Sequence, residues 1–129
     1  MKLLLDTHIL LWACAAPSSL PAEAVEMIDD QENELFFSAA SIWEVGIKNA
    51  MGKAHFQFDP AVLRRALLDA GYQELAMTGQ HCIAAAALPP IHSDPFDRML
   101  IGQAASEGFV LITSDQLMAK YAGPIRRVK

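Results

Sequence analysis

Residues 109–115 read Phe-Val-Leu-Ile-Thr-Ser-Asp, an apolar run that ends in a hydroxyl and then an acid. A short unbroken apolar run rich in β-branched residues reads as a strand buried on both faces, here Phe109–Thr113. Strands covered on both faces belong to parallel sheets, because crossover helices lie over them. Upstream, Asp94-Pro95 opens a helix that runs to Glu107 and stops at Gly108. Further out the pattern repeats. Lys2–Leu5 is a short buried strand ending at Asp6, and Thr7–Ala15 is a helix stopped by Pro17. Ser18–Pro21 starts a helix that fails near Asn33; Leu35–Phe37 is a strand; Ser38–Met51 is a helix ending at Gly52. Asp59-Pro60 opens another helix, Tyr72–Leu75 is a short strand, and Thr78–Leu88 is an alanine-rich helix closed by Pro89-Pro90. Ser114 or Asp115 caps a last short helix, and Ile125–Val128 forms an edge strand. Strands alternating with helices predict an α/β fold with a central, mainly parallel sheet.

The 129 residues fit one domain spanning 1–129, long enough to bury one continuous core. The apolar fraction of 53% argues against disorder. No apolar run reaches the roughly 20 residues needed to span a bilayer. The opening imitates a signal peptide, but Asp6 and His8 interrupt its apolar stretch, and the segment reads as mature structure. Cys14 and Cys82 form no CxxC and read as inert, buried thiols in a reducing cytoplasm. No Cys/His cluster has zinc spacing. The net charge of -5 argues against unspecific nucleic-acid binding.

Ligands of open α/β sheets bind outside the carboxyl ends of the strands. Asp6 and Asp115 fall at such ends, Asp97 lies in the first turn of the helix feeding the last strong strand, and Glu44 lies on the helix after the second strand. Four acids brought to one edge repel one another unless a cation neutralises them. Mg²⁺ and Mn²⁺ prefer such oxygen ligands, and an ion held there lowers the pKa of a water and steadies charge on a phosphate. Each acid also has a plain structural role. Asp6 and Asp115 can cap helices, Asp94 and Asp97 fit a helix start, Ser41–Glu44 has capping-box spacing, and Glu44 can pair with Lys48. Asp6 directly after an apolar strand, and Glu44 within Ser41–Ile47, still need partners if buried.

Four segments carry a resemblance. Leu3–Trp12 (LLLDTHILLW), Ser38–Lys48 (SAASIWEVGIK), His92–Ala104 (HSDPFDRMLIGQA) and Leu111–Asp115 (LITSD) resemble, in order, the acidic motifs of PIN-domain ribonucleases of the VapC toxin type. The resemblance implies a three-layer α/β/α domain and an endoribonuclease dependent on Mg²⁺ or Mn²⁺. It implies Asp6, Glu44, Asp97 and Asp115 as the acidic quartet, with Thr7 and Thr113 as hydroxyls near the metal. It further implies a homodimer and a cognate antitoxin that blocks the site. Asp94 and Asp97 compete for the third position; the register of the apolar helix Met99–Ala105 favours Asp97.

On this reading Asp6, Asp97 and Asp115 ligate one ion, and Glu44 holds a second or orients the nucleophile, for hydrolysis of an RNA phosphodiester. Phosphate contacts are expected from Lys48, Lys53, Arg64, Arg65 and above all Arg98, with the tail Arg126–Lys129 as a further candidate. His8 and His92 read as structural or exposed, and Trp12 and Trp43 as core or interface aromatics. An aspartate-nucleophile phosphatase is disfavoured, because His8 stands where that class places its second acid. A binding scaffold without catalysis, and a nuclease of RNA processing, are the remaining alternatives.

Overall fold

A computed structural model describes all residues, Met1–Lys129. The elements run β1 (Lys2–Leu5), α1 (Thr7–Ala15), α2 (Ala22–Asp29), β2 (Glu34–Ser38), α3 (Ala39–Ala50), α4 (Pro60–Asp69), β3 (Gln73–Leu75), α5 (Gly79–Ala86), α6 (Pro95–Glu107), β4 (Val110–Thr113) and β5 (Ile125–Arg127). All four strand pairings are parallel, in the order β3-β2-β1-β4-β5. No helix is long and apolar enough to cross a membrane.

Alternation along β1 divides the core. Leu3 and Leu5 join Ile9, Leu10, Val45, Leu63 and Leu67 on one face, while Leu4 joins Leu100, Ile101, Ala104 and Leu111 on the other. The side chains at these positions are almost completely buried, and each contributes roughly 1.5–3 kcal/mol if it is a leucine or isoleucine. On the second face α5 packs so closely on α6 that a Cβ added at Gly102 would lie 2.8 Å from the Ala85 nitrogen. Only glycine permits that approach.

Several expected boundaries shift for local reasons. The strand expected from Phe109 begins at Val110, because the Phe109 N–H donates to the Ala104 carbonyl and finishes the helix instead. Gly108 makes this turn possible with φ of 74°. The last short helix is reduced to one 3₁₀ turn, Met118–Lys120, anchored by the fully buried Met118. Ser38, not Ser41, caps α3, which leaves Ser41 inside the helix and buried. Cys14 is half-buried but Cys82 is exposed, contrary to the expectation of two buried thiols. Trp43, expected in the core or an interface, is 59% exposed and rests its ring edgewise against Phe96.

Candidate active site

The carboxyl ends of β1 and β4 lie side by side, since Leu5 pairs with Ile112. Asp6 follows Leu5 and is buried. One of its oxygens caps α1, accepting from the N–H groups of His8 at 2.7 Å and Ile9 at 3.4 Å. The other accepts from the Thr113 hydroxyl at the end of β4. The capping role expected of Asp6 is thus present, and its second oxygen ties it to the end of β4. Burial nevertheless raises its pKa, against the lowering effect of Thr113, His8 and the two N–H groups.

Glu44 enters from α3 and is buried too. The Thr7 hydroxyl lies 2.6 Å from its Oε1 and 2.9 Å from Ser41 Oγ. Lys48 Nζ, one turn on, lies 2.5 Å from Glu44 Oε2 and 3.0 Å from Asp94 Oδ2. The ammonium also sits over the rings of Phe56 and Phe96, at 4.8 and 5.6 Å from their centroids. Burial alone would lower the Lys48 pKa, but the bonds to Glu44 and Asp94 raise it overall. Lys48 is thus a fixed counter-charge between two acids rather than a free phosphate contact.

Asp94 caps α6, accepting from the N–H groups of Phe96 at 2.8 Å and Asp97 at 3.2 Å. Burial would raise its pKa, but the Lys48 hydrogen bond and those N–H groups lower it. Asp97 has no such support. Burial, and then the charges of Asp94, Asp6, Glu44 and Asp115, push its pKa up to about 8. Asp115 closes the far side, with one oxygen accepting from Leu117 N at 2.7 Å and Met118 N at 3.2 Å.

Two overlapping donor groups result. Ligand atoms of Glu44, Asp94 and Asp97 lie within 4.8 Å of one another, as do those of His92, Asp97 and Asp115. Asp97 belongs to both. Asp6 acts on Asp97 through its charge, but both its oxygens already accept hydrogen bonds. The residues fit a hard divalent cation. Five carboxylates face one lysine, and Asp97 is left in a place where only a proton or a cation makes its charge tolerable.

Sequence reading identified Asp6, Glu44, Asp97, Asp115, Thr7 and Thr113, and the fold brings all six to this edge. It had Asp94 and Asp97 competing for the third acidic position, with Asp97 favoured, and left His92 aside; both Asp94 and His92 lie in the donor groups. The sequence signal was present, since His92 and Asp94 flank the same turn as Asp97. Arg98 is a correction. Side chains at adjacent helix positions do not share a face, so Arg98 turns away from Asp97. Its Nη1 donates to the carbonyls of Pro89 (3.0 Å) and His92 (3.3 Å) and to Tyr121 Oη (3.2 Å), and its Nη2 to those of Ala85 (3.1 Å) and Leu88 (2.9 Å). These carbonyls lie at the end of α5 and in the following loop, where backbone acceptors lack helical partners. Arg64 is likewise engaged by Glu74, and Arg126 by Glu23.

A parallel sheet with an acidic cluster at the carboxyl ends of its central strands defines the class: an α/β domain whose clustered acids could hold a cation. The PIN domain profile matches residues 3–124, and the chain belongs to that family. A search among characterised protein sequences finds no significant match. Solved structures similar in fold include VapBC2 from Rickettsia felis bound to a DNA fragment from its promoter, at TM-score 0.72 and 13% identity over 100% of both chains. DNA-bound VapBC from Salmonella typhimurium is similar at TM-score 0.69 and 17% identity, over 98% of both chains. VapBC-5 of Mycobacterium tuberculosis, a member of a toxin–antitoxin family, is similar at TM-score 0.64 and 14% identity, over 99% of this chain and 98% of that one.

Proposed function

We propose that the protein is a metal-dependent endoribonuclease, the VapC-type toxin of a toxin–antitoxin pair. It acts in the cytoplasm as a domain spanning residues 1–129, with an antitoxin as partner and a second copy as the other half of a homodimer. The observation that carries the chemistry is Asp97, held among four other acids with its pKa pushed up to about 8. The antitoxin partner is supported by the similar folds, which are those of proteins solved in VapBC complexes.

Asp97 would hold the ion together with Asp115 on one side and Glu44 and Asp94 on the other, with Asp6 adding charge from behind. Bound there, Mg²⁺ or Mn²⁺ would supply Lewis acidity for phosphodiester hydrolysis and lower the pKa of an attacking water. Thr113 fixes the rotamer of Asp6, and Thr7 and Lys48 fix that of Glu44, so the acids are oriented before any cation arrives. Asp97, with its raised pKa, would have to lose its proton to hold the cation. With Lys48, Arg64, Arg98 and Arg126 engaged within the chain, Lys53, Arg65 and Lys129 remain as exposed contacts for RNA phosphates, with Arg127 half-buried. Affinity is then modest and salt-sensitive, and selection falls on RNA shape or unpaired loops.

The test is cleavage of a mixed structured-RNA pool by purified protein with Mg²⁺ or Mn²⁺. Asp97→Asn and a chelator should each lower the rate at least about a hundredfold, the scale of losing one strong charge-stabilising group. Cleavage that survives both would refute the metal mechanism. Ion binding without cleavage of RNA would favour the scaffold alternative.

A further inference from the structure

His92 stands between Asp97 and Asp115, and its place there rests on two independent restraints. The first is a clamp on its loop. Tyr121 Oη accepts from the His92 backbone N–H at 2.8 Å and lies 2.9 Å from the Pro89 carbonyl, to which it donates. Arg98 binds the carbonyls of both Pro89 and His92. The loop is therefore tied at two points to side chains that have no other task in the site.

The second restraint acts on the ring. His92 Nδ1 accepts the backbone N–H of Asp94 at 3.1 Å. A nitrogen that accepts has no proton, and a neutral imidazole carries its one proton on the other nitrogen. The proton is therefore on Nε2. That atom is buried, lies 2.9 Å from Asp97 Oδ2 and 3.5 Å from Asp115 Oδ2, and is aligned for a hydrogen bond with neither. A metal-ligating nitrogen needs a free lone pair, and this tautomer offers none toward the acids.

We propose that His92 is a positioning residue that stays outside the ion's ligand set and donates its Nε2–H to the Asp97 and Asp115 carboxylates as they take up the cation. This rests on the metal-site reading above. The logic is that a carboxylate using one oxygen for a metal is held in orientation by a hydrogen bond to the other. Nε2 lies within reach of both carboxylates and has no other hydrogen-bond partner. The site is then an all-oxygen one, suited to Mg²⁺ or Mn²⁺, although an imidazole lies within reach.

The wild-type protein tests this without any variant. In ion-free protein, ¹⁵N–¹H correlation of the His92 ring should find the neutral form protonated at Nε2. In Mn²⁺-loaded protein, pulsed electron paramagnetic resonance should show no imidazole nitrogen coupling that disappears on His92→Gln substitution. Mn²⁺ affinity should fall about 10–100-fold in His92→Leu. His92→Gln, whose amide N–H reaches the same position, should recover most of it, with thermal melts confirming that both variants fold. A proton on Nδ1, a His92-dependent nitrogen coupling, or an affinity unchanged in His92→Leu would each overturn the proposal. Wild-type protein that binds no Mn²⁺ at all would remove the metal reading as well, whereas binding with nitrogen coupling would spare that reading and overturn only this one.

Discussion

Asp97 and Arg98 are neighbours on one helix, and their surroundings are opposite. Arg98 donates to four carbonyls and a phenol, so its charge is spread over five oxygen acceptors. Asp97 faces four other acids and has no hydrogen-bond donor aligned on it. One residue ties α5, α6 and the intervening loop together. The other is crowded by like charges, which raise its pKa. The contrast teaches that two charges one position apart can meet opposite surroundings, one fully partnered and the other crowded by like charge. A charged side chain beside a motif is thus no guide to its role until the face it occupies is known.

Removing the clamp should give the largest loss. Arg98→Met leaves several carbonyls without their charged donor and should cost roughly 3 kcal/mol or more, read by denaturant unfolding. A loss under about 0.5 kcal/mol would mean that solvent replaces the guanidinium and that the contrast is false.

Relieving the cage should act in the other direction. Asp97 has a pKa near 8 in the folded chain and an ordinary value of 3.8. The unfolded chain releases this proton first, so the stability of ion-free protein falls as pH rises from about 4 through 8. Asp97→Asn should flatten that decline and gain on the order of a few kcal/mol at pH 9. Mg²⁺ or Mn²⁺ should flatten it in the wild type, and ion binding should release protons below pH 8. Stability rising with pH in chelated wild type would contradict the assignment.

Gly102→Ala tests packing away from both charges. The new methyl meets the Ala85 backbone, and the shift it forces between α5 and α6 should cost about 1–3 kcal/mol. Since α6 carries Asp97, the variant should also weaken ion binding slightly; full affinity would show that the cage does not depend on this contact. The smallest effect is expected from Tyr121→Phe, which removes one phenol and its bonds to His92, Pro89 and Arg98. A loss of about 1 kcal/mol is expected from unfolding curves. A loss comparable to that of Arg98→Met would place the centre of the clamp at Tyr121.

The sequence by itself determined the strands, the helices and the positions of the acids. Apolar runs such as Leu3–Leu5 and Val110–Thr113, and caps such as Asp59-Pro60 and Asp94-Pro95, act within a few residues and need no knowledge of distant partners. The capping role of Asp6 was legible for the same reason, since the N–H groups that it caps are its own neighbours. Only the tertiary structure decided where each charge is directed. Lys48 bridges Glu44 and Asp94, 46 residues away, and Arg98 answers carbonyls that exist only because α5 stops beside it. His92 enters the site because Tyr121 and Arg98 hold its loop. These pairings depend on which faces meet after the sheet has closed. Electrostatic and hydrogen-bond energies fall steeply with distance and angle, so sequence spacing alone could not supply them.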